Sequence, residues 1–196
     1  IKLNHDNGTP SEEEVREFEI FKKRKVLCLL MDSTNVWQPG FSIPERNVYA
    51  TLEKIIHEST GRLIIAMFAS HLERLIRVVH FAEKHGKKVV IDGRSMRTNI
   101  EIAREIGLIK YKDDTVVSVE NMASYPPEKL LILATGAQGD EFASLARIGN
   151  KTHKHIRLQP TDTIVLSSSV IPGNERAVQK LKDNLSRQGA HIITYH

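Results

Sequence analysis

A single cysteine, Cys28, among 196 residues excludes a disulfide framework and the small secreted scaffolds that depend on one. A reducing cytoplasm is the expected setting. No apolar run approaches the roughly 20 residues that a membrane-spanning helix needs, and no stretch has the layout of a secretory leader. Low-complexity segments and tandem repeats are also missing, as are a Walker phosphate loop and a G-x-G-x-x-G dinucleotide fingerprint. Charge of one sign is barely in excess. A net charge of +4 from 28 basic and 24 acidic side chains admits an anionic partner but is no polycationic tail. Ordinary solubility charge accounts for that balance equally well.

What is present is a chain that is 40% hydrophobic, enough for one sizeable core, and so for one α/β domain with an appendage. Four short apolar runs each discharge into a loop of small and polar residues. Leu63 to Phe68 ends in Ala69-Ser70-His71, and Lys88 to Ile91 ends in Asp92-Gly93-Arg94-Ser95. Leu130 to Ala134 ends in Thr135-Gly136-Ala137-Gln138-Gly139, and Thr163 to Leu166 in Ser167-Ser168-Ser169 and on to Gly173-Asn174-Glu175. Short, continuously apolar runs read as parallel strands buried on both faces. Strands alternating with helices imply a doubly wound parallel sheet flanked by helices. Crossovers should be right-handed, and the ligand edge should lie at the strand carboxyl ends.

From Gly61 onward the pattern predicts strands at 63–68, 88–91, 115–118, 130–134, 163–167 and 190–195. Helices are predicted at 70–84, 95–106, 140–148 and 173–187, with a brief helical turn after 115–118. Ahead of this lie a strand end at Ile1 to Asn4 and a helix to about Lys23, capped by Ser11. A buried strand follows from Lys25 to Met31, closed by Asp32-Ser33-Thr34-Asn35. An irregular link containing Trp37, Gly40 and Pro44 leads to a helix near 45–59. The domain boundary is placed in this link, giving segments 1–43 and 44–196. An opening Ile and a closing His196 directly after a strand-like run suggest a piece of something longer.

Several residues carry candidate chemistry. Ser167, Ser168 and Ser169, with Gly173-Asn174-Glu175, combine hydroxyls, a glycine and a helix start, the equipment for holding a phosphoryl group. Turn and cap preferences would produce a similar string, but three consecutive serines exceed what a cap requires. Thr135 to Glu141 is evenly balanced between close backbone approach to a ligand and a tight turn with Asp140 as a helix-start acid. Asp32 reads as an Asx turn ahead of a metal ligand, because no other ligand is near it in sequence. His153 and His155, two apart, share one face of a strand; nothing completes a metal site, so a solvated edge is expected. His71 lies in a strand-end loop, where imidazole can meet phosphate or base. His57, His80 and His85 read as surface residues on helices. Arg94 can clamp a phosphate bidentately or pair with an acid such as Glu101.

In order as well as content, Asp32-Ser-Thr-Asn35, Pro39-Gly-Phe41, Phe68-Ala-Ser70, Gly93-Arg-Ser-Met96, Thr135-Gly-Ala-Gln-Gly139 followed by an acid, and the Ser167 to Glu175 element resemble ribonuclease J. That family comprises metallo-β-lactamase-fold nucleases of the β-CASP group, and the resemblance runs across nearly the whole chain. It implies a zinc-dependent ribonuclease with 5′-exonuclease and endonuclease activity in RNA processing and decay. In such enzymes the β-CASP domain is inserted into the metallo-β-lactamase domain and clamps RNA over two zinc ions.

Position by position, the resemblance implies that Asp32 is the carboxylate bridging the zincs. Asp140 matches the catalytic acid of the first β-CASP motif, where ribonuclease J usually carries Glu. Ser167, Ser168 and Ser169 match the loop beside the 5′-monophosphate pocket, and Ser70, His71, Arg94 and Ser95 fall in loops facing the RNA channel. The family's His-x-His-x-Asp-His motif and β-CASP histidine motifs are not found in this sequence. Residues 44–196 then correspond to the β-CASP domain and 1–43 to a fringe of the metallo-β-lactamase domain. The piece by itself is expected to be inactive. The partners implied are RNA, the remainder of the metallo-β-lactamase domain and, in the parent, further copies of itself, with no membrane. A reading of a different class is a free-standing α/β domain that binds a phosphosugar or nucleotide, which also uses serine-rich strand-end loops.

Overall fold

The computed structural model describes residues 5–31, 33 and 36–195. They form two units, 1–51 and 52–196, with the division lying inside helix α2 (Glu45–Glu58). In the first unit, strands β1 (His5–Asp6) and β2 (Thr9–Pro10) pair antiparallel. Asn7 and Gly8 between them both have positive φ, the backbone of a type I′ hairpin. Helix α1 (Glu12–Phe18) starts as predicted, with Ser11 Oγ accepting from the Glu14 N–H at 3.3 Å and three acids in the first turn. Beyond Phe18 the chain tightens into a 3₁₀ turn, Glu19–Lys23, so the predicted helix is α-helical only in its first half.

The predicted buried strand from Lys25 to Met31 does not form. These residues have no regular structure and are exposed; Leu27 is 99% and Leu30 92% accessible, and Cys28 is a free, exposed thiol. A strand persists only through backbone bonds to a neighbour. Among the described residues no strand pairs with this segment. The strand end expected at Ile1 to Asn4, and Asp32, Thr34 and Asn35, lie outside the described residues.

The second unit is the predicted parallel sheet. Its strands are β3 (Leu63–Ala66), β4 (Lys88–Asp92), β5 (Val116–Val117), β6 (Leu130–Ala134), β7 (Thr163–Leu166) and β8 (His191–Thr194). They lie in the order β5-β4-β6-β3-β7-β8, every pair parallel. Helices α3 (Leu72–Lys84), α4 (Arg94–Glu105), α5 (Ser144–Gly149) and α6 (Glu175–Ser186) make the crossovers. Ile64, Val90, Ile132, Ile164 and Leu166 join Leu145 and Ile148 of α5 and Leu181 and Leu185 of α6 in one cluster. The alternate residues Leu63, Ile65, Val89, Ile91, Leu131, Leu133 and Val165 are equally buried, and α3 and α4 supply the other apolar layer through Leu75, Val78, Val79, Met96 and Ile100. Side chains alternate between two faces that are both buried, which is why these strands contain so few polar residues.

Two features of this topology matter for function. The chain leaves β3 toward β4 and leaves the adjacent β7 toward β8, in opposite directions along the sheet. It likewise leaves β4 toward β5 and the adjacent β6 toward β7. Both pairs are switch points, where a crevice opens beyond the strand carboxyl ends. At the opposite edge, Arg62 and Asp162 fasten the starts of β3 and β7. Arg62 Nε and Nη2 donate to the two Asp162 oxygens at 3.1 and 2.5 Å, with side-chain exposures of 7% and 0%.

Candidate functional site

At the carboxyl ends of β4 and β6 the two loops nearly touch. Gly93 has φ +154°, and a Cβ there would sit 2.6 Å from Thr135 Cγ2, so only glycine lets the loops approach this closely. Arg94 and Ser95 follow as the exposed first turn of α4, rather than as loop residues. The Thr135 loop does not lead straight into a helix. The Gly139 N–H bonds to Gly136 O and the Ala143 N–H to Asp140 O, while the Leu145 N–H returns to Thr135 O. These turns use up residues 136–143, and α5 begins at Ser144 with Ala143 as its N-cap. Asp140 is therefore not the helix-start acid that the sequence suggested. It is an exposed turn residue directly after Gly139.

Beneath this loop lies a buried polar cluster. Asp92 Oδ2 accepts from the Ser144 hydroxyl and, at 2.9 Å, pairs with His153 Nε2. His153 Nδ1 accepts the backbone N–H groups of His155 and Ile156 at 3.3 and 3.0 Å. That nitrogen must be unprotonated, so Nε2 carries the hydrogen and donates it to Asp92. Burial holds the His153 pKa below its ordinary value, against the raising effect of the Asp92 charge. The expectation of a solvated His153 is overturned: it is 3% exposed, because a carboxylate 61 residues away supplies its partner. Although Ser, His and Asp are all present, the carboxylate stands between the other two. This is not the order of a nucleophile, its base and an orienting acid, and the cluster braces the ends of β4 and α5.

The three serines after β7 have different fates. Ser167 is buried on the side of α3, where the Arg74 guanidinium donates to its carbonyl and hydroxyl oxygens at 2.6 and 3.1 Å. Ser168 is buried against Gln138, whose Nε2 reaches its hydroxyl at 3.2 Å. Only Ser169 is part-exposed. At the end of β3, Ser70 is exposed and His71 is the half-buried N-cap of α3. Asn99 of α4 donates to Ala69 O at 2.7 Å and ties this loop across the edge.

The strand order β4-β6-β3-β7 thus sets Arg94 and Ser95, then Thr135 to Asp140, then Ser70 and His71, then Ser167 to Ser169, at successive strand ends along one edge. Three strand spacings separate the first from the last, about 14 Å. Asp92, His153, Ser144, Gln138 and Arg74 were not identified as site-forming from sequence. Asp92 and Gln138 stood inside the strand-end strings noted there, without a role of their own, and Arg74 is a cation on the stripe that also carries Leu75, Val78 and Val79. Among the described residues no group of three or more His, Cys, Asp or Glu side chains could hold a metal ion, and Asp32 lies outside them. The described residues by themselves do not fit a zinc site.

The β-CASP domain family of ribonuclease J matches residues 60–185. Ribonuclease J2 of Bacillus subtilis is 36% identical over 168 residues, covering 86% of this chain and 30% of that protein. Ribonuclease J of Thermus thermophilus is 39% identical over 168 residues, 86% of this chain and 29% of that protein. Ribonuclease J 1 of Streptococcus pyogenes is 42% identical over 168 residues, with coverages of 86% and 30%. The chain spans about 30% of the length of these curated relatives.

Proposed function

Since this chain belongs to the ribonuclease J family, we propose that it is the RNA-clamping β-CASP portion of an RNA-processing nuclease. The observation that carries this reading is the row of phosphate-competent groups along the carboxyl edge. A single phosphoryl group needs one cradle, whereas groups spread over about 14 Å suit the successive phosphates of an extended strand. The alternative of a phosphosugar- or nucleotide-binding domain is not favoured, because the family match covers most of the sheet. In this proposal Arg94, Ser95, Ser70, His71 and Ser169 meet the RNA backbone, and Ser167 and Ser168 shape the loop from within. Residues 1–43 belong to the metallo-β-lactamase fold, and the zinc ions draw their ligands, apart from Asp32, from chain outside this sequence. A zinc pair would supply an activated water and charge neutralisation.

The test is RNA affinity in the full-length parent protein, followed against salt. Removing one phosphate contact should lower the salt slope by about one. Arg94→Ala is therefore expected to weaken binding of single-stranded RNA regardless of sequence and to flatten the salt dependence. Unchanged affinity and slope in a folded Arg94→Ala, Ser169→Ala double variant would remove this edge from the RNA path. The 196-residue chain itself, incubated with 5′-monophosphorylated RNA and zinc, is expected to leave the RNA intact. Chelator-sensitive cleavage by contaminant-free protein would contradict that.

A further inference from the structure

We infer that Gln138 is the positioning residue that holds the Ser169 to Asn174 loop in its RNA-binding shape. The inference rests on the proposal that this edge binds RNA. Gln138 is 5% exposed, and its amide is committed on both sides to the loop after β7. Nε2 donates to Ser168 Oγ at 3.2 Å and to Ser169 O at 2.8 Å. Oε1 accepts the Ile171 N–H at 2.9 Å and Asn174 Nδ2 at 3.4 Å. The orientation of the amide is fixed by the main chain, because a flip would set carbonyl against carbonyl at Ser169 and N–H against N–H at Ile171. One side chain therefore spans the segment from Ser168 to the N-cap of α6, and this loop contains the part-exposed serine.

The base of Gln138 is equally constrained. A Cβ on Gly139 would lie 2.7 Å from the Ala177 carbonyl carbon of α6, so the backbone after Gln138 rests on that helix. The exposed Asp140 is attached directly to this clamped segment. Gln138 thus sets the loop after β6 and the loop after β7 in one mutual geometry. It does so from beneath, without itself offering a surface to a ligand.

The experiment uses the full-length parent, with Kd and KM for single-stranded RNA measured beside melting temperature. Gln138→Glu keeps size and acceptor but turns an oxygen toward Ser169 O. Gln138→Met keeps length and removes all four bonds. A control at the opposite edge of the sheet, Asp162→Asn, weakens the fold without touching the loop. Both Gln138 variants are expected to lose at least about tenfold in RNA affinity, as displaced binding groups do, with KM rising more than kcat falls, while folded Asp162→Asn binds normally. Unchanged affinity in either folded Gln138 variant, or an equal loss in Asp162→Asn, overturns the inference. Arg94→Ala alongside separates the two claims. Loss there with normal Gln138 variants overturns the positioning role alone, and loss in none overturns the RNA edge as well. Loss in the Gln138 variants alone keeps the positioning role and takes Arg94 out of the edge. Where neither Gln138 variant folds, Ser168→Ala takes their place. It breaks one of the four bonds, and a loss of about threefold is expected; wild-type affinity overturns the inference.

Discussion

His153 cannot gain a proton without disturbing two backbone amides, since its Nδ1 accepts from His155 and Ile156. Its pKa is lowered by burial, so the unfolded chain takes up this proton at a higher pH than the folded one does. The neutral form's contribution to stability is therefore complete above the unfolded value of about 6.5 and is lost as pH falls through the folded value. Urea melts at pH 7.5 and 5.5 should show a larger loss of stability on acidification in wild type than in His153→Gln; parallel losses would refute this. Asp92→Ala, which strands the His153 N–H and the Ser144 hydroxyl, should cost about 1–3 kcal/mol. Asp140 offers the opposite profile. It caps no helix, so Asp140→Asn should leave the melting temperature unchanged. We propose that its charge serves the reaction, in which case single-turnover cleavage by the parent falls at least about tenfold. Wild-type rates would make it a turn residue only. None of this was legible in the sequence around His153, because its environment is set by residues distant in the chain.

Elements were more legible than residues. β6 occupies the predicted span 130–134, and β3, β4 and β7 differ from prediction by one or two residues at their carboxyl ends. A parallel strand buried on both faces must be apolar throughout, and that shows in contiguous residues. The start of α5 was not legible. Asp140 and Glu141 have the composition of a first helical turn, but the backbone around Gly136 and Gly139 is committed to turns that close on Thr135 and pack on α6. Gly139→Ala probes this directly. At φ +80°, with Ala177 backbone in the space of the new Cβ, the substitution should cost more than the roughly 1–2 kcal/mol of a left-handed residue alone. Chemical denaturation of the parent measures it, and a cost below 1 kcal/mol would mean that loop and helix separate freely.

At the scale of the whole molecule, Arg62 is paired in the interior with Asp162, which also accepts the Gln159 N–H at 2.8 Å. Asp162→Ala leaves a buried guanidinium without its counter-charge, and a loss of about 3–5 kcal/mol is expected in equilibrium unfolding. A loss under 1 kcal/mol would show that Arg62 finds water or another acceptor. The sequence alone determined the alternation of strands and helices, the parallel sheet, the edge on which its loops gather and the family to which it belongs. Each of these is written in local periodicity or in short contiguous motifs. Packing, by contrast, turns Ser167 and Ser168 inward but not Ser169, buries His153 on Asp92, and leaves residues 25–31 exposed. These depend on which partners distant segments bring. A hydroxyl, an imidazole or an apolar run has the same composition whether or not such a partner arrives.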